Sequence, residues 1–150
     1  MKTRLSIQTE LTQLTAVTRV QVRFSETDAL KMVWHGNHLK YFEDGRDEFG
    51  IKYGLDFLEM FEKEGFAAPI VKVEVNYTHP LAYGDHALVE TTLVNTPAAK
   101  IIFHYKIFRA SDYTLIAKGE TTQVFVTEEN GLNLVIPDFF QKWKKKWGLQ

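Results

Sequence analysis

The chain has 150 residues, close to the commonest size for one domain, so we expect a single domain over residues 1–150. Apolar residues make up 45% of the chain and charged residues 25%, which excludes a disordered or collagen-like protein. The 18 Lys and Arg residues nearly balance the 19 Asp and Glu residues, so a formal net charge of −1 gives no overall attraction for nucleic acid. The absence of Cys excludes disulfides, a thiol nucleophile and a cysteine-ligated zinc site.

The first twenty residues show no secretory signal pattern, because polar and charged residues interrupt them throughout. No apolar run approaches the roughly 20 residues that a membrane span needs. We therefore expect a cytoplasmic protein with no membrane span and no nucleic acid partner.

The first predicted elements are a strand and a long helix. Residues 15–24 alternate between apolar and polar side chains, with Phe24 on the apolar side, which predicts a half-buried strand. Residues 37–50 predict the main helix, because Leu39 begins an apolar stripe that Phe42 and Phe49 continue. Gly45 lies on the same stripe. Since a glycine inside a helix costs about 1 kcal/mol relative to alanine, we expect another backbone to pass close to it, as a sheet wrapped around the helix would.

The rest of the chain is predicted to be mainly strands. Residues 55–63 predict a short second helix that Gly65 ends. Residues 69–78 show the clearest period of two, and short turn-like intervals between the later strands predict antiparallel hairpins. The predicted strands after the main helix cover residues 69–78, 86–95, 100–109 and 114–127, and Pro137 opens a last helix containing Trp143 and Trp147.

The order of elements is therefore one strand, the main helix, four strands and a C-terminal helix. A lone helix that follows the first strand must pack on one face of the antiparallel sheet. The sequence predicts an α+β domain in which the sheet curves around one central helix. A curved sheet with an exposed edge also favours association with a second copy.

Common catalytic and binding motifs are missing from the sequence. No Gly-Xaa-Ser-Xaa-Gly elbow, phosphate-binding glycine loop or His-Glu-Xaa-Xaa-His pattern occurs. His35 and His38 are three residues apart and can share a helix face, but a His pair at this spacing often arises by chance. We therefore predict no metal site.

Residues 24–46 bring acidic, aromatic and helix-starting residues together. Glu26 and Asp28 lie two apart in an extended loop, so both side chains can point the same way and raise the pKa of one carboxyl, which can then serve as a base. Residues 34–37, Trp-His-Gly-Asn, come just before the main helix, where free N–H groups can polarise a carbonyl oxygen. A carboxylate facing such a helix end suits attack on an ester or thioester. The structural alternative is that Asp28 caps a turn and His35 is solvated.

This segment is similar to the signature of the 4-hydroxybenzoyl-CoA thioesterase-like branch of the hot-dog fold superfamily, which includes the YbgC-type acyl-CoA thioesterases. That signature joins an aromatic residue, an acidic-Xaa-Asp triplet, a short turn, a hydrophobic pair, an aromatic, a His or Tyr, and an aromatic-Glu-Xaa-Xaa-Arg helix. The element order and the turn from Tyr77 to Asp85 fit as well, so the resemblance covers nearly the whole chain. The matching residues are Phe24, Glu26-Thr27-Asp28, Met32-Val33, Trp34, His35 and Phe42-Glu43-Asp44-Gly45-Arg46.

The resemblance implies a hot-dog fold, a homodimer or homotetramer, and hydrolysis of a fatty or aromatic acyl thioester. The thioester is carried by coenzyme A or acyl carrier protein, so coenzyme A is part of the substrate and no other cofactor is implied. Asp28 takes the position of the catalytic carboxylate, as nucleophile or general base, and His35 takes the catalytic position at the helix start. The implied substrate-binding residues are Glu26, Trp34, Gly36 and Thr78.

Two departures from the family pattern keep other functions open. Phe24 stands where Tyr is common, and Leu30-Lys31 stands where Gly is common. A non-catalytic acyl-binding protein is the first alternative. An enoyl-thioester hydratase is the second and weaker one, since that branch has a closer Asp-to-His spacing than the seven residues found here. Glu43 is predicted to form an ordinary ion pair with Arg46 rather than to act in catalysis.

Overall fold

Seven strands and three helices make up the computed structural model, which describes residues 13–150. The strands are β1 (Thr15–Gln21), β2 (Phe66–Ala67), β3 (Ile70–Tyr77), β4 (His86–Val94), β5 (Lys100–Arg109), β6 (Leu115–Thr127) and β7 (Gly131–Asn133). The helices are α1 (His38–Tyr53), α2 (Phe57–Glu59, continued by a π-helical turn at Met60–Glu64) and α3 (Asp138–Lys146). Residues 1–12, which include most of the segment that lacks a signal pattern, lie outside the described residues.

The long strands and the helices confirm the predicted order of elements. α1 ends at Tyr53 rather than at residue 50, because Gly54 adopts a positive φ of 71° and stops the helix there. β2 and β7 were not predicted, since two or three residues are too few to show a period. The prediction for Phe24 is wrong. β1 ends at Gln21 and a 3₁₀ turn follows, so the Phe24 side chain is 69% exposed.

All strand pairs in the sheet are antiparallel, as the hairpin spacing predicts. The order across the sheet is β1-β4-β5-β6, and β3 pairs with the first part of β6. The short strands β2 and β7 pair with the last part of β6. Within residues 13–150, β1 and β3 therefore form the two long edges of the sheet.

The core lies between α1 and the face of the sheet that the helix covers. Phe42 stacks on Tyr105 of β5 with ring centroids 4.2 Å apart, and Phe49 meets Phe103 edge-on at 5.0 Å. Leu39, predicted on the same stripe, is 41% exposed. The reason is that the buried stripe begins at His38, and successive helical residues point about 100° apart.

The close approach expected at Gly45 is present, but side chains make it rather than a backbone. A Cβ at Gly45 would collide with the Thr91 hydroxyl and would lie 3.1 Å from Val89 Cγ1, and both residues belong to β4. The Thr91 hydroxyl is buried without a hydrogen-bond partner among the described residues. Glycine at this position therefore lets the helix lie directly on β4.

The C-terminal helix closes the far end of α1. The indole nitrogens of Trp143 and Trp147 donate to the carbonyl of Tyr53 at 2.8 and 2.9 Å. These bonds satisfy a carbonyl at the helix end that has no intrahelical partner. Lys144, buried in the same helix, donates from Nζ to the Thr96 carbonyl at 2.9 Å. None of the helices formed by residues 13–150 has the length and apolar character that crossing a membrane requires.

Candidate functional site

A tight hairpin between β1 and α1 positions Asp28. Thr27 and Val33 form an isolated antiparallel bridge, and the Asp28 N–H donates to the Met32 carbonyl at 2.8 Å. Asp28 Oδ1 accepts from the N–H groups of Leu30 at 2.8 Å and of Met32 at 3.4 Å. The predicted turn-capping role of Asp28 is therefore present. It uses Oδ1 alone, and within residues 13–150 no group donates a hydrogen bond to Oδ2.

The hairpin holds a residue in the left-handed region. Lys31 has a φ of +62°, which costs a residue with a Cβ about 1–2 kcal/mol. This is the stretch where glycine is common in the family pattern. The turn keeps the conformation that favours glycine even though Lys occupies it, and its N–H still donates to the Asp28 carbonyl at 3.0 Å.

A short 3₁₀ turn, His35–Asn37, leads into α1. The Glu26 carbonyl accepts from the Trp34 N–H at 2.9 Å and from Asn37 Nδ2 at 2.8 Å, which ties this turn to the loop before it. The Trp34 ring lies over Gly36 so closely that a Cβ there would overlap it. Across residues 13–150, no backbone carbonyl accepts from the N–H groups of His35 and Gly36. These two donors at the helix start are what polarisation of a substrate carbonyl needs.

The hairpin, the helix start and the end of β3 border an open groove of about 350 Å³. It brings together three of the predicted site residues, Asp28, His35 and Thr78. Asp28 is the one carboxylate among the lining residues. The full lining is Asp28, Met32, Val33, His35, His38, Tyr77, Thr78, His79 and Pro80.

Glu26 lies outside this groove. Its Oε1 accepts from the Arg23 N–H at 2.8 Å and from the Tyr41 hydroxyl at 3.1 Å, and it lines a separate hollow beside Asp44. The prediction that Glu26 and Asp28 point the same way is therefore wrong, because Glu26 folds back to close the 3₁₀ turn. Burial, together with the Glu26 charge, raises the pKa of Tyr41, so Tyr41 stays a hydrogen-bond donor.

The remaining predicted site residues are Trp34, Gly36 and Thr78, and they have structural contacts in or beside the groove. Trp34 and Gly36 are not among the lining residues, although both adjoin His35. The Thr78 hydroxyl is directed to backbone, since it donates to the carbonyls of Leu115 at 2.6 Å and Ile116 at 3.0 Å. Thr78 therefore fixes the end of β3 against β6.

Six lining residues were not predicted as site residues, and two of them, His38 and Tyr77, contact the carbonyl of His35 at the helix start. His38 is 3% exposed at the first position of α1, and burial lowers the pKa of its ring, which is therefore neutral at neutral pH. Tyr77 is the last residue of β3, and its ring packs edge-on against His38 with ring centroids 4.8 Å apart. The alternation of apolar and polar residues along the strand does not indicate this contact. No cluster of three potential metal ligands exists in the part of the chain that the structure describes.

The ion pair predicted between Glu43 and Arg46 does not form. Arg46 instead donates from Nη1 to the Tyr105 hydroxyl at 3.1 Å, and that hydroxyl is 2.6 Å from the hydroxyl of Thr121. Arg46 turns toward the sheet because buried hydroxyls there offer acceptors, whereas an exposed pair at this spacing gains only a few tenths of a kcal/mol, on the order of 0.3–0.5.

Comparison with known proteins settles the family. A family model described as the thioesterase-like superfamily matches residues 22–144, which is most of the chain. The chain belongs to the thioesterase-like superfamily. YneP of Bacillus subtilis (strain 168), provisionally named as an acyl-CoA thioesterase, is 29% identical over 124 residues, which cover 83% of this chain and 88% of that protein.

Solved structures show the same fold. The DHNA-CoA thioesterase from Staphylococcus aureus matches with a TM-score of 0.79 at 25% identity, covering 89% of each chain. The 4-hydroxybenzoyl-CoA thioesterase from Pseudomonas sp. strain CBS-3 matches with a TM-score of 0.76 at 18% identity, covering 86% of this chain and 98% of that one. The expected hot-dog fold is confirmed. The expected class, a thioester hydrolase, is confirmed at the level of the family.

Proposed function

We propose that this protein hydrolyses acyl-CoA thioesters and that Asp28 is its catalytic carboxylate. The observation that carries the proposal is the groove that Asp28 lines together with His35 at the start of α1, with Asp28 Oδ2 free of hydrogen bonds from residues 13–150. The acyl group is fatty or aromatic and rests against Met32, Val33 and Tyr77. Named relatives that act on aromatic acyl-CoA thioesters support this substrate class.

The chemistry follows from two opposed elements. The N–H groups of His35 and Gly36 polarise the thioester carbonyl and stabilise the charge that develops on its oxygen. Asp28 either attacks the acyl carbon, giving a mixed anhydride that water then hydrolyses, or removes a proton from the attacking water. Both routes release the thiol and a carboxylate, and both require the Asp28 charge.

The test is thiol release from a panel of benzoyl-, 4-hydroxybenzoyl-, hexanoyl- and palmitoyl-CoA, with acyl carrier protein thioesters in parallel. Asp28→Asn keeps the shape of the side chain and removes its charge, so we expect kcat to fall about 10²–10⁴-fold with little change in the melting temperature. Asp56→Asn is the matched control, because Asp56 Oδ1 also accepts from two N–H groups, those of Leu58 and Glu59, and Asp56 does not line the groove. Parental turnover in Asp28→Asn would contradict the proposal.

The same panel separates the alternatives. Asp28 Oδ1 caps the turn, and this structural use of the side chain favours the alternative of a non-catalytic acyl-binding protein. Such a protein would be stabilised by acyl-CoA without any thiol release. A hydratase would add water to the double bond of an enoyl-CoA and leave the thioester intact.

We infer that the protein works as a homodimer or homotetramer, because β3 presents an apolar face that residues 13–150 cover only in part. Val73 pairs with Thr121, which is buried on the face that carries α1, so Val73 points to that face too. Yet Val73 and Tyr77 on this face of β3 are 41% and 48% exposed. An unpaired edge with an apolar face fits a second copy of the chain.

Light scattering after size-exclusion chromatography tests this association. We expect Val73→Lys to convert the oligomer to monomer, because the charge falls on the apolar face. Asn76→Lys is the control, since Asn76 lies on the opposite face of the same strand. A parent protein that is monomeric at micromolar concentration would contradict the inference.

A further inference from the structure

Two side chains lie within hydrogen-bond distance of the carbonyl oxygen in the peptide between His35 and Gly36. Its carbonyl oxygen accepts from the hydroxyl of Tyr77, at the end of β3. His38 Nδ1, on the first turn of α1, is 3.2 Å from the same oxygen. The two side chains come from different elements, 42 and 3 residues away from His35 in the chain.

The N–H of this peptide belongs to Gly36. In a trans peptide the C=O and N–H point in opposite directions, so holding the carbonyl also fixes the direction of the N–H. Within the described residues, no backbone carbonyl accepts from that N–H. Hydrogen bonds to a peptide carbonyl also polarise the unit and strengthen its N–H as a donor.

We propose that Tyr77 and His38 are positioning residues, which hold the His35–Gly36 peptide so that the Gly36 N–H donates to the thioester carbonyl oxygen. The proposal rests on the proposed function, since it assigns the donor that polarises the substrate. Neither side chain needs to touch the substrate for this role.

The surroundings of His38 favour the donor role. Its ring is buried and packs edge-on against Tyr77 at 4.8 Å and Tyr41 at 6.1 Å. Burial lowers the pKa of His38, so its neutral ring carries one proton, and a carbonyl oxygen beside Nδ1 assigns that proton to Nδ1. The Trp34 ring over Gly36 leaves no room for a Cβ, which further limits rotation of the peptide.

One experiment observes the peptide without any substrate. His35-Gly36 is the single His-Gly pair in the chain, so protein labelled with carbonyl-¹³C histidine and ¹⁵N glycine gives one doubly labelled peptide signal. In Tyr77→Phe we expect the His35 carbonyl carbon and the Gly36 amide to shift, because a hydrogen bond is lost. Tyr113→Phe is the control, since Tyr113 stacks on Phe108, is not among the groove-lining residues and should leave the signal unchanged.

A second experiment measures the effect on turnover, using whichever acyl-CoA of the panel the parent hydrolyses fastest. We expect Tyr77→Phe to lower kcat about tenfold with KM unchanged, less than the 10²–10³-fold that loss of a whole oxyanion donor costs. His38→Leu should lower kcat similarly. His38→Asn should restore most of it, because the Asn amide nitrogen can stand where Nδ1 stands. Light scattering confirms that each variant keeps the parental assembly.

The outcomes separate this inference from the function on which it rests. Parental kcat in Tyr77→Phe, beside an inactive Asp28→Asn, would overturn the positioning role and leave the thioesterase proposal standing. An unmoved Gly36 signal in Tyr77→Phe would also overturn it. Parental turnover in Asp28→Asn would instead contradict the proposed function. Shifted signals, lowered kcat and rescue by His38→Asn together support the inference.

Discussion

The two ends of α1 differ in the hydrogen bonding of their backbone groups. They lie about 24 Å apart, since the helix has 16 residues. At the C-terminal end, two indole groups donate to the Tyr53 carbonyl, and Phe49 is fully buried beside it. At the N-terminal end, the N–H groups of His35 and Gly36 meet no backbone acceptor among the described residues, and the ring of His35 is exposed.

This difference separates stability from chemistry within one helix. At the C-terminal end, called the closed end below, the carbonyls of Gly50 and Tyr53 have protein donors, and aromatic rings pack around them. The N-terminal end, called the open end below, leaves the N–H groups of His35 and Gly36 without a backbone acceptor among the described residues. The hairpin beside it holds Lys31 in a left-handed conformation, and such unsatisfied or strained groups are typical of functional sites. Substitutions at the closed end should therefore change unfolding free energy, and those at the open end should change turnover.

Phe49→Ala should show the largest effect on stability. Phe49 is fully buried between Phe103, Tyr53 and Trp143, so we expect the unfolding free energy to fall by about 3–5 kcal/mol. Urea denaturation at one fixed protein concentration measures it, because assembly makes stability concentration-dependent. The half-exposed Leu39→Ala is the control in the same helix and should cost far less.

The activity of the folded fraction decides whether the two ends are separate. Phe49→Ala should keep kcat within about twofold at low temperature, since Phe49 lies more than three helical turns from His35. If Phe49→Ala fails to fold, Phe49→Leu keeps most of the volume and should cost less than about 1.5 kcal/mol. A large loss of kcat in a folded Phe49 variant would show that the ends are coupled.

The local spacing of residues in the sequence predicted most of the fold but only part of the candidate site. β5 was predicted with its true bounds because its alternate residues, from Ile101 to Ile107, are all buried on one face. Asp28 and His35 were predicted because seven residues and one hairpin connect them. The bond from Tyr77 to the His35 carbonyl spans 42 residues, so no local pattern could indicate it. The direction of Glu26 depends on a turn that spacing alone does not specify.

The paired indoles offer a sharper test of the closed end. Trp143→Phe or Trp147→Phe keeps an aromatic ring and removes one donor, so each should lower the unfolding free energy by about 1 kcal/mol. The double variant leaves the Tyr53 carbonyl without either indole. It should therefore cost more than the sum of the two single variants. Simple additivity in urea denaturation would show that the two bonds do not share one acceptor.

Lys31→Gly should show the smallest effect, and with the opposite sign. Glycine removes the cost of the positive φ of 62°, but it also adds freedom to the unfolded chain, so the net gain in unfolding free energy should be about 0.5 kcal/mol. Lys31→Ala is the matched control, because its Cβ keeps the cost of the left-handed conformation, and it should gain nothing. The bonds from Leu30 and Met32 to Asp28 Oδ1 remain in both variants, so kcat should stay within about twofold. A stability gain in Lys31→Ala equal to that in Lys31→Gly would show that the turn stores no backbone strain, and the open end would then differ from the closed end only in its unused donors.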